Sequence, residues 1–416
     1  MPSRLKTPLI SLLRWSEKYT KTDMVYLASG GFWTTASSVV SLAIAAVTFW
    51  AFANLLPKEN YGTYQYILSI VDLFGIFVLS GIDTAAGRST AQGKDGSLMD
   101  GLYTKIRWGL IGGSGSLILG LYYLSHANPL LGWGFVMTGL FIPFWEAPGI
   151  YGTYIQGKKR FDLVGFSDVF VQTVVTLVLI PALFLTHNVL IILFLYLSSM
   201  GLARFALLRF SFKKLPPNTI RDPEMIPYGK HLSLISVINT IASNADVVFL
   251  WHMLGPAQVA VYRFSQSIPM RANGFFKIIN RLSFPKMAAQ ESETLKRTLM
   301  PKILLLVSLS TIAAGAYALS APYIFKFFLP QYIEAVPYTI FAALLIALQP
   351  FSLISSAFTA QGKKKSLYVW SIWVPLARIG LFLVLIPAFG LWGALIALIG
   401  AKVIECLLLI LLFYRT

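Results

Sequence analysis

The chain has 416 residues, 56% of them hydrophobic and 12% charged, with a mean hydropathy of +0.69, a balance that excludes a water-soluble surface and makes it an integral membrane protein. Its formal net charge of +17 would suit nucleic acid, but the basic residues fall where membrane topology puts them, and a nucleic-acid partner is not expected. The one cysteine, Cys406, lies inside an apolar run, which excludes a disulfide framework and a cysteine-rich metal site.

Residues 1–23 set Leu9, Ile10, Leu12, Leu13 and Trp15 among Arg4, Lys6, Arg14 and Lys18. That apolar run is too short and too basic to span, and no small-residue cleavage site follows it. An amphipathic helix lying in the cytoplasmic interface is expected there. Twelve apolar runs follow, at about 24–53, 63–86, 106–125, 130–155, 162–186, 189–210, 230–253, 259–283, 300–325, 335–360, 367–387 and 390–413. They are long and unalternating, as helical spans of about 20 residues require, whereas strands of a membrane barrel would be about 10 residues long and alternate in polarity.

The connections after odd-numbered spans contain two basic residues, Lys58 and Lys326. Those after even-numbered spans hold Arg88, Lys94, Lys105 and Arg107, then Lys158 to Arg160, Arg204 to Lys230, Lys277 to Lys302, and Lys363 to Lys365. The positive-inside rule places these loops and both termini in the cytoplasm. Lys213 to Tyr228, "KKLPPNTIRDPEMIPY", is the one long Pro-rich hydrophilic break. It divides the chain into an N-lobe (24–210), a cytoplasmic linker (211–229) and a C-lobe (230–416).

Three matches recur in the same order in both halves. "QGKKR" at Gln156 to Arg160 returns as "QGKKK" at Gln361 to Lys365; "VLIPA" at Val178 to Ala182 returns at Val384 to Ala388; and "LLPKENYGTYQYILSI" from Leu55 lies over "MLGPAQVAVYRFSQSI" from Met253. Six spans per copy is an even number, so both copies enter from the same side, and parallel repeats are used by transporters whose lobes rock around a central site. The expected fold is all-α, with about twelve transmembrane helices in two six-helix repeats around a central cavity. The basic signature ends an even span at the cytoplasmic face, where its lysines either anchor topology or grip an anionic head group.

The segments "LLPKENYGTYQYILSIVDLFGIFVLSGIDTAAGRS", "SNADVVFLWHMLGPAQVAVYRFSQSIP" and "QGKKRFDLVG", with twelve spans in two halves, resemble the Wzx-type polysaccharide flippases. These are the branch of the multidrug, oligosaccharidyl-lipid and polysaccharide exporter superfamily that moves undecaprenyl-pyrophosphate-linked sugars. One departure is visible: the first copy has Leu56-Pro57 where the second has Leu254-Gly255-Pro256. The resemblance implies a non-enzymatic flippase in a prokaryotic inner membrane, moving a lipid-linked oligosaccharide to the outer leaflet among membrane lipids, without a cofactor. It also implies ion coupling, by H+ or Na+; no Walker A pattern is present to cradle ATP.

A charge within a span is costly and marks a cavity or pathway by default. Arg263 and Arg271 in span 8, Arg378 in span 11 and Lys402 in span 12 are the basic candidates, and Arg271 and Arg378 fall near mid-membrane. Arginine's planar fork matches phosphate oxygens and stays charged, so these four form the expected seat for a pyrophosphate-sugar head group, unless carboxylates of other spans pair with them. Arg88, at the cytoplasmic mouth, either receives the head group or anchors the interface. Asp246 and Arg263 flank one outer turn and are open to pairing, as are Lys402 and Glu405 at i and i+3. Glu146 and Asp72 are the leading candidates for an ion-coupling carboxylate, with Asp246 as a third; Asp168 is a further in-span acid. Pro143, Pro148, Pro350 and Pro375 mark expected bends.

Two rivals stand beside the flippase. A cation or drug antiporter of the same superfamily calls for an acidic or apolar central cavity. A polytopic polymerase or glycosyltransferase acting on lipid-linked sugars calls for a sizeable external loop, and the external connections here are short. His126, His187, His231 and His252 are dispersed, without metal-ligand spacing.

Overall fold

The computed structural model describes residues 24–415, and the interfacial helix expected over residues 1–23 lies outside the described residues. The regular structure of the described residues is helical: α1 (Met24–Leu55), α2 (Lys58–Gly75), α3 (Gly81–Ala91), α4 (Leu98–Ser125), α5 (Pro129–Glu146), α6 (Ile150–Gly157), α7 (Phe161–Leu185), α8 (Val189–Lys214), α9 (Met225–Leu254), α10 (Pro256–Ala289), α11 (Ser292–Phe328), α12 (Val336–Ala342), α13 (Leu344–Leu348), α14 (Ser352–Ala360) and α15 (Lys364–Arg415). Among the described residues nine helical stretches are long and apolar enough to cross a membrane. The last of them, α15, has 52 residues and reverses at Gly390, whose φ of 59° and ψ of −130° break the helix. At about 1.5 Å per residue it crosses twice. α4 and α10, with 28 and 34 residues, are long enough and less apolar. Counting these gives the twelve crossings expected.

Spans 2, 4 and 10 are each assembled from shorter pieces. α2 stops at a 3-10 turn, Ile76–Val78, and Leu79 takes a left-handed φ of 59° before α3 begins. The 3-10 turns Ala147–Gly149 and Gln349–Phe351 carry Pro148 and Pro350, two of the expected bends, at corresponding places in the two halves. Pro143 and Pro375 lie within α5 and α15. Gly255 has φ of 83°, a conformation that suits glycine. Pro57, at the corresponding turn, has φ of −57° and needs no glycine before it.

The basic signatures close corresponding corners of the two halves. Lys158 forms an ion pair with Asp95, in the turn between α3 and α4. Lys363 donates to Ser292 Oγ at 2.6 Å, at the start of α11, while Gln361 Nε2 donates to the carbonyls of Met287 at 2.8 Å and Gln290 at 2.7 Å. A Cβ at Gly157 would lie 2.7 Å from Thr90 Cβ and 2.8 Å from Gly87 O, so glycine lets α6 approach α3. Each signature therefore ties the end of its broken span to the preceding hairpin.

α4 packs on α5 and α1 on α7 in the first half; α11 packs on α13, and α10 on α12 and α14, in the second. The halves meet where α2 packs on α10 and α3 on α9. The face bearing the α1–α2 turn is the one expected to be external and is called outer below. There Lys58 pairs with Glu334, Asn54 Nδ2 donates to Phe328 O and Gln331 Nε2 to Asn54 O, both at 2.9 Å. Phe264 packs between Tyr61 and Tyr332, at centroid distances of 4.7 and 4.0 Å. Toward the inner face, the Gly81 amide donates to Ser233 Oγ at 3.0 Å. The non-helical residues 215–224 are held against the α3–α4 corner: Ser89 donates to Asp222 Oδ2 at 2.5 Å and the Asp222 amide to Ser97 Oγ at 2.7 Å. Large apolar side chains such as Leu185, Leu319 and Phe327 stand exposed on the periphery, as a lipid-facing surface requires.

Candidate functional site

A cavity of about 680 Å³ opens in the first half between α1, α2, α7 and α8. The sequence builds it by helical spacing: Asp168, Gln172, Val175 and Thr176 line it from α7, and Tyr196, Met200 and Arg204 recur every four residues along α8. α1 contributes Ser37, Ser38, Ser41 and Thr48, and α2 contributes Tyr61 and Tyr64. Small hydroxyls and tyrosines therefore dominate the polar lining. One residue of the second half enters it, Arg271 of α10. Its guanidinium lies 5.6 Å from the Phe49 ring centroid, and no carboxylate among the described residues forms an ion pair with it.

A second cavity of about 330 Å³ adjoins the first, sharing Phe49, Tyr61 and Arg271 and adding Arg263, Gln266, Ser267 and Met270. Arg263 Nη2 donates to Ser69 Oγ on α2 at 3.3 Å, while its Nε is buried without a partner. Together the two cavities hold three guanidinium groups, Arg204, Arg263 and Arg271, against one carboxylate, Asp168. Their lining is net cationic.

A third cavity, about 380 Å³, lies on the other side of α2 and has the opposite sign. Asp72 and Glu146 line it with Ser80, Ser236, Asn239, Thr240, Ser243 and Asn244, drawn from α2, the break that follows it, α5 and α9. Arg204 spans the wall between the two sides, donating to Trp145 O at 3.0 Å and to Glu146 Oε1 at 3.3 Å. Beside it Lys105, 1% exposed, donates to both oxygens of Asp83 at 2.6 and 2.7 Å and to Glu146 O at 3.4 Å.

The residues singled out from the sequence separate into three groups. Arg263 and Arg271 come together on one face of α10 and line the cationic cavities. Asp72 and Glu146 come together in the acidic one. The others have partners elsewhere. Arg378 Nη2 lies 3.6 Å from Asp246 Oδ2, because α9 packs along α15, and it lines none of these three cavities. Asp246, 1% exposed, also accepts from Tyr262 Oη at 2.9 Å and from the Val247 amide at 2.8 Å. The residue of α10 that meets Asp246 is thus Tyr262; Arg263, one position further round the helix, faces α2 instead. Lys402 pairs with Glu405 at 2.9 Å, and Arg88 lies 4.9 Å over the Tyr228 ring.

Sequence reasoning missed Asp83, Lys105 and Arg204. Lys105 and Arg204 were counted with the cytoplasmic loops, whereas the structure sets them within α4 and α8 as buried or half-buried donors. For Arg204 a signal existed in the four-residue recurrence with Tyr196 and Met200.

A family model described as a polysaccharide biosynthesis protein matches residues 27–289. The chain belongs to this family. Its architecture is shared with solved transporters: the chain aligns with a structure of the lipid II flippase MurJ in an inward closed conformation over 94% of its own length and 88% of that chain, with a TM-score of 0.70 and 14% identity. An outward-facing multidrug resistance MATE transporter of the MOP superfamily aligns over 93% of this chain and 94% of that one, with a TM-score of 0.61 and 13% identity. A MOP superfamily transporter from Pyrococcus furiosus, described as having a binding pocket of reverse polarity that suggests a different function, aligns over 92% and 95%, with a TM-score of 0.55 and 15% identity. No curated protein matches the chain in sequence. The fold is that of these transporters, as the sequence resemblance implied: an all-α membrane protein of two lobes.

Proposed function

We propose that this family member is a flippase that carries an undecaprenyl-pyrophosphate-linked oligosaccharide from the cytoplasmic to the outer leaflet of a prokaryotic inner membrane by alternating access, with both termini in the cytoplasm. The single observation that carries this reading is Arg271: a guanidinium without a carboxylate ion-pair partner among the described residues, facing a cavity of about 680 Å³ rich in tyrosine and serine, at a position expected near mid-membrane from the sequence. An unpaired guanidinium at that depth is costly, and a phosphate-bearing ligand supplies the charge-assisted, two-pronged partner that offsets the cost. Tyrosine faces and hydroxyls suit the sugar that follows. The lipid tail stays in the bilayer while the head group crosses between the lobes. In this reading the lobes are residues 24–210 and 230–416, joined by the linker 211–229.

An antiporter of cations or drugs calls for the opposite sign in the main cavity, and an enzyme for external groups placed for catalysis. Neither is favoured by the lining found. Coupling to H+ or Na+ is assigned to Asp72 and Glu146, whose cavity lies across the Arg204 wall from the substrate side. Asp246 and Arg378 serve the C-lobe as a mutually neutralising pair, and Lys402 is held by Glu405.

Complementation of an export-deficient strain tests the seat. Arg271→Ala is expected to abolish export at normal protein level, whereas Arg378→Ala lowers the protein level itself. Undiminished export by Arg271→Ala refutes the reading. Flipping by proteoliposomes that ignores both pH and sodium gradients removes the coupling assignment alone.

A further inference from the structure

Gln266 is the buried polar group that the arginine seat does not explain. It lines the cavity of about 330 Å³, is 2% exposed, and has no hydrogen-bond partner for either its Nε2 or its Oε1. A carboxamide offers two donors and an acceptor, and leaving a buried polar group unpaired costs about 1–3 kcal/mol. Buried side-chain amides in folded proteins are therefore nearly always satisfied, and an apolar residue of similar size would spare the cost at once.

Its place on α10 says what would satisfy it. Arg263, Gln266, Ser267, Met270 and Arg271 stand at i, i+3, i+4, i+7 and i+8, one continuous stripe facing one cavity. Along about 12 Å of helix axis the stripe presents a guanidinium, then the carboxamide beside a hydroxyl, then a second guanidinium. The Ser267 hydroxyl is turned back to Phe264 O at 2.8 Å, so the carboxamide is the uncommitted neutral hydrogen-bonding group between the two cations. A bare phosphate engages guanidinium groups and leaves the amide oxygen unpaired, since phosphate oxygens bring no donor. Satisfying Oε1 and Nε2 together takes a ligand whose anionic part is followed directly by groups that both donate and accept, as the hydroxyls or acetamido group of a sugar do.

We infer that Gln266 is a specificity-determining residue that reads the first sugar attached to the diphosphate, so that the protein discriminates a glycosylated polyprenyl diphosphate from the bare polyprenyl diphosphate. The inference rests on the flippase reading above, and it adds a test for cargo that has been loaded with sugar.

The experiment measures binding of two probes to the full chain in nanodiscs: a short-chain polyprenyl diphosphate, and the same lipid carrying one N-acetylhexosamine. The wild-type protein is expected to bind the sugar-bearing probe about tenfold more tightly, the worth of one or two well-made hydrogen bonds. Gln266→Leu is expected to bring that ratio to about one, with the larger loss falling on the sugar-bearing probe, and with a Tm no lower than that of the wild type because a buried orphan amide has been removed. Gln266→Glu, placing an anion between the two guanidinium groups, is expected to weaken both probes. A Gln266→Leu protein that keeps the wild-type ratio, or that loses Tm because the amide had a structural partner, overturns the inference and leaves the seat standing. A wild-type protein that binds neither probe, or an Arg271→Ala protein that binds both as wild type does, overturns the seat, and the role of Gln266 falls with it.

Discussion

Gly62→Ala probes how the two halves meet. Gly62 lies in the first turns of α2, against the start of α10, and a Cβ added there would sit 1.8 Å from Pro256 O and 2.5 Å from Pro256 C. Both atoms are backbone, so no side-chain rotation relieves the clash. The seam must open by about 1.6 Å to reach the 3.4 Å of ordinary contact. Overpacking of this kind costs about 1–3 kcal/mol, and it falls only on the arrangement in which the outer ends of the lobes are closed. A differential cost of that size shifts a two-state equilibrium by about 5–150-fold. Spin labels at Glu59→Cys and Ile333→Cys, both exposed positions beside the outer seam, in a Cys406→Ser background, read the separation of the halves by pulsed dipolar spectroscopy. Gly62→Ala is expected to move population toward longer distances and to slow flipping. Gly75→Ala, where a Cβ meets nothing within 4 Å, serves as the control and is expected to leave the distribution unchanged. A Gly62→Ala protein of wild-type Tm and wild-type distance distribution would refute the assignment of this contact to a lobe-closing seam.

Lys105→Met leaves Asp83 without its cation in a site where Lys105 is 1% exposed, and is expected to destabilise by about 3 kcal/mol, with Asp83→Asn added to it recovering at least half, read as apparent Tm in nanodiscs; equal Tm for the single and double variants would refute the pairing. The Asp222 carboxyl, outside the spans, is held below its ordinary value by the Ser89 hydroxyl and, further off, by Lys94 and Arg88. A depressed folded pKa gives stability that is present above the unfolded value of about 3.9 and lost as pH falls through the folded one. Hydrogen exchange of residues 215–224 is therefore expected to stay protected at neutral pH and to open on acidification below about pH 4, and Asp222→Asn is expected to remove that dependence; protection that is flat with pH in the wild type would count against Asp222 as what holds this segment to the α3–α4 corner.

The number of crossings and their pairing into two halves were legible because span length and the placement of lysine and arginine are properties of composition along the chain. Charge pairing was not. Asp246 and Arg263 flank the same outer turn, and sequence proximity made them natural partners; yet one residue along a helix is about 100° of rotation, enough to give Asp246 the Tyr262 hydroxyl and to send Arg263 toward Ser69. The cation that does reach Asp246 comes from Arg378, 132 positions away. Lys105 was hidden for a different reason. Its partner Asp83 lies beyond the break at residues 76–80, and that break is set by a left-handed Leu79, a conformation no local pattern announces. Gln266 was invisible as well, because an amide in an apolar stretch draws notice only once its neighbours fail to bond it.

Two lysines 205 positions apart, Lys158 and Lys363, fasten equivalent corners, but only the fastener recurs and not the catch. In the first half the catch is a buried acid, Asp95, and the charge is cancelled on the spot. In the second it is a hydroxyl, and the nearby acid, Glu293, pairs with Lys296 instead; burial first and Lys296 second push the Lys363 ammonium below the ordinary lysine value, against the opposing pull of Glu293. Anionic lipid at the inner leaflet would thus be drawn to one corner of the molecule more than to the other. Under the proposed alternating access, the half moored less firmly would be the one to swing.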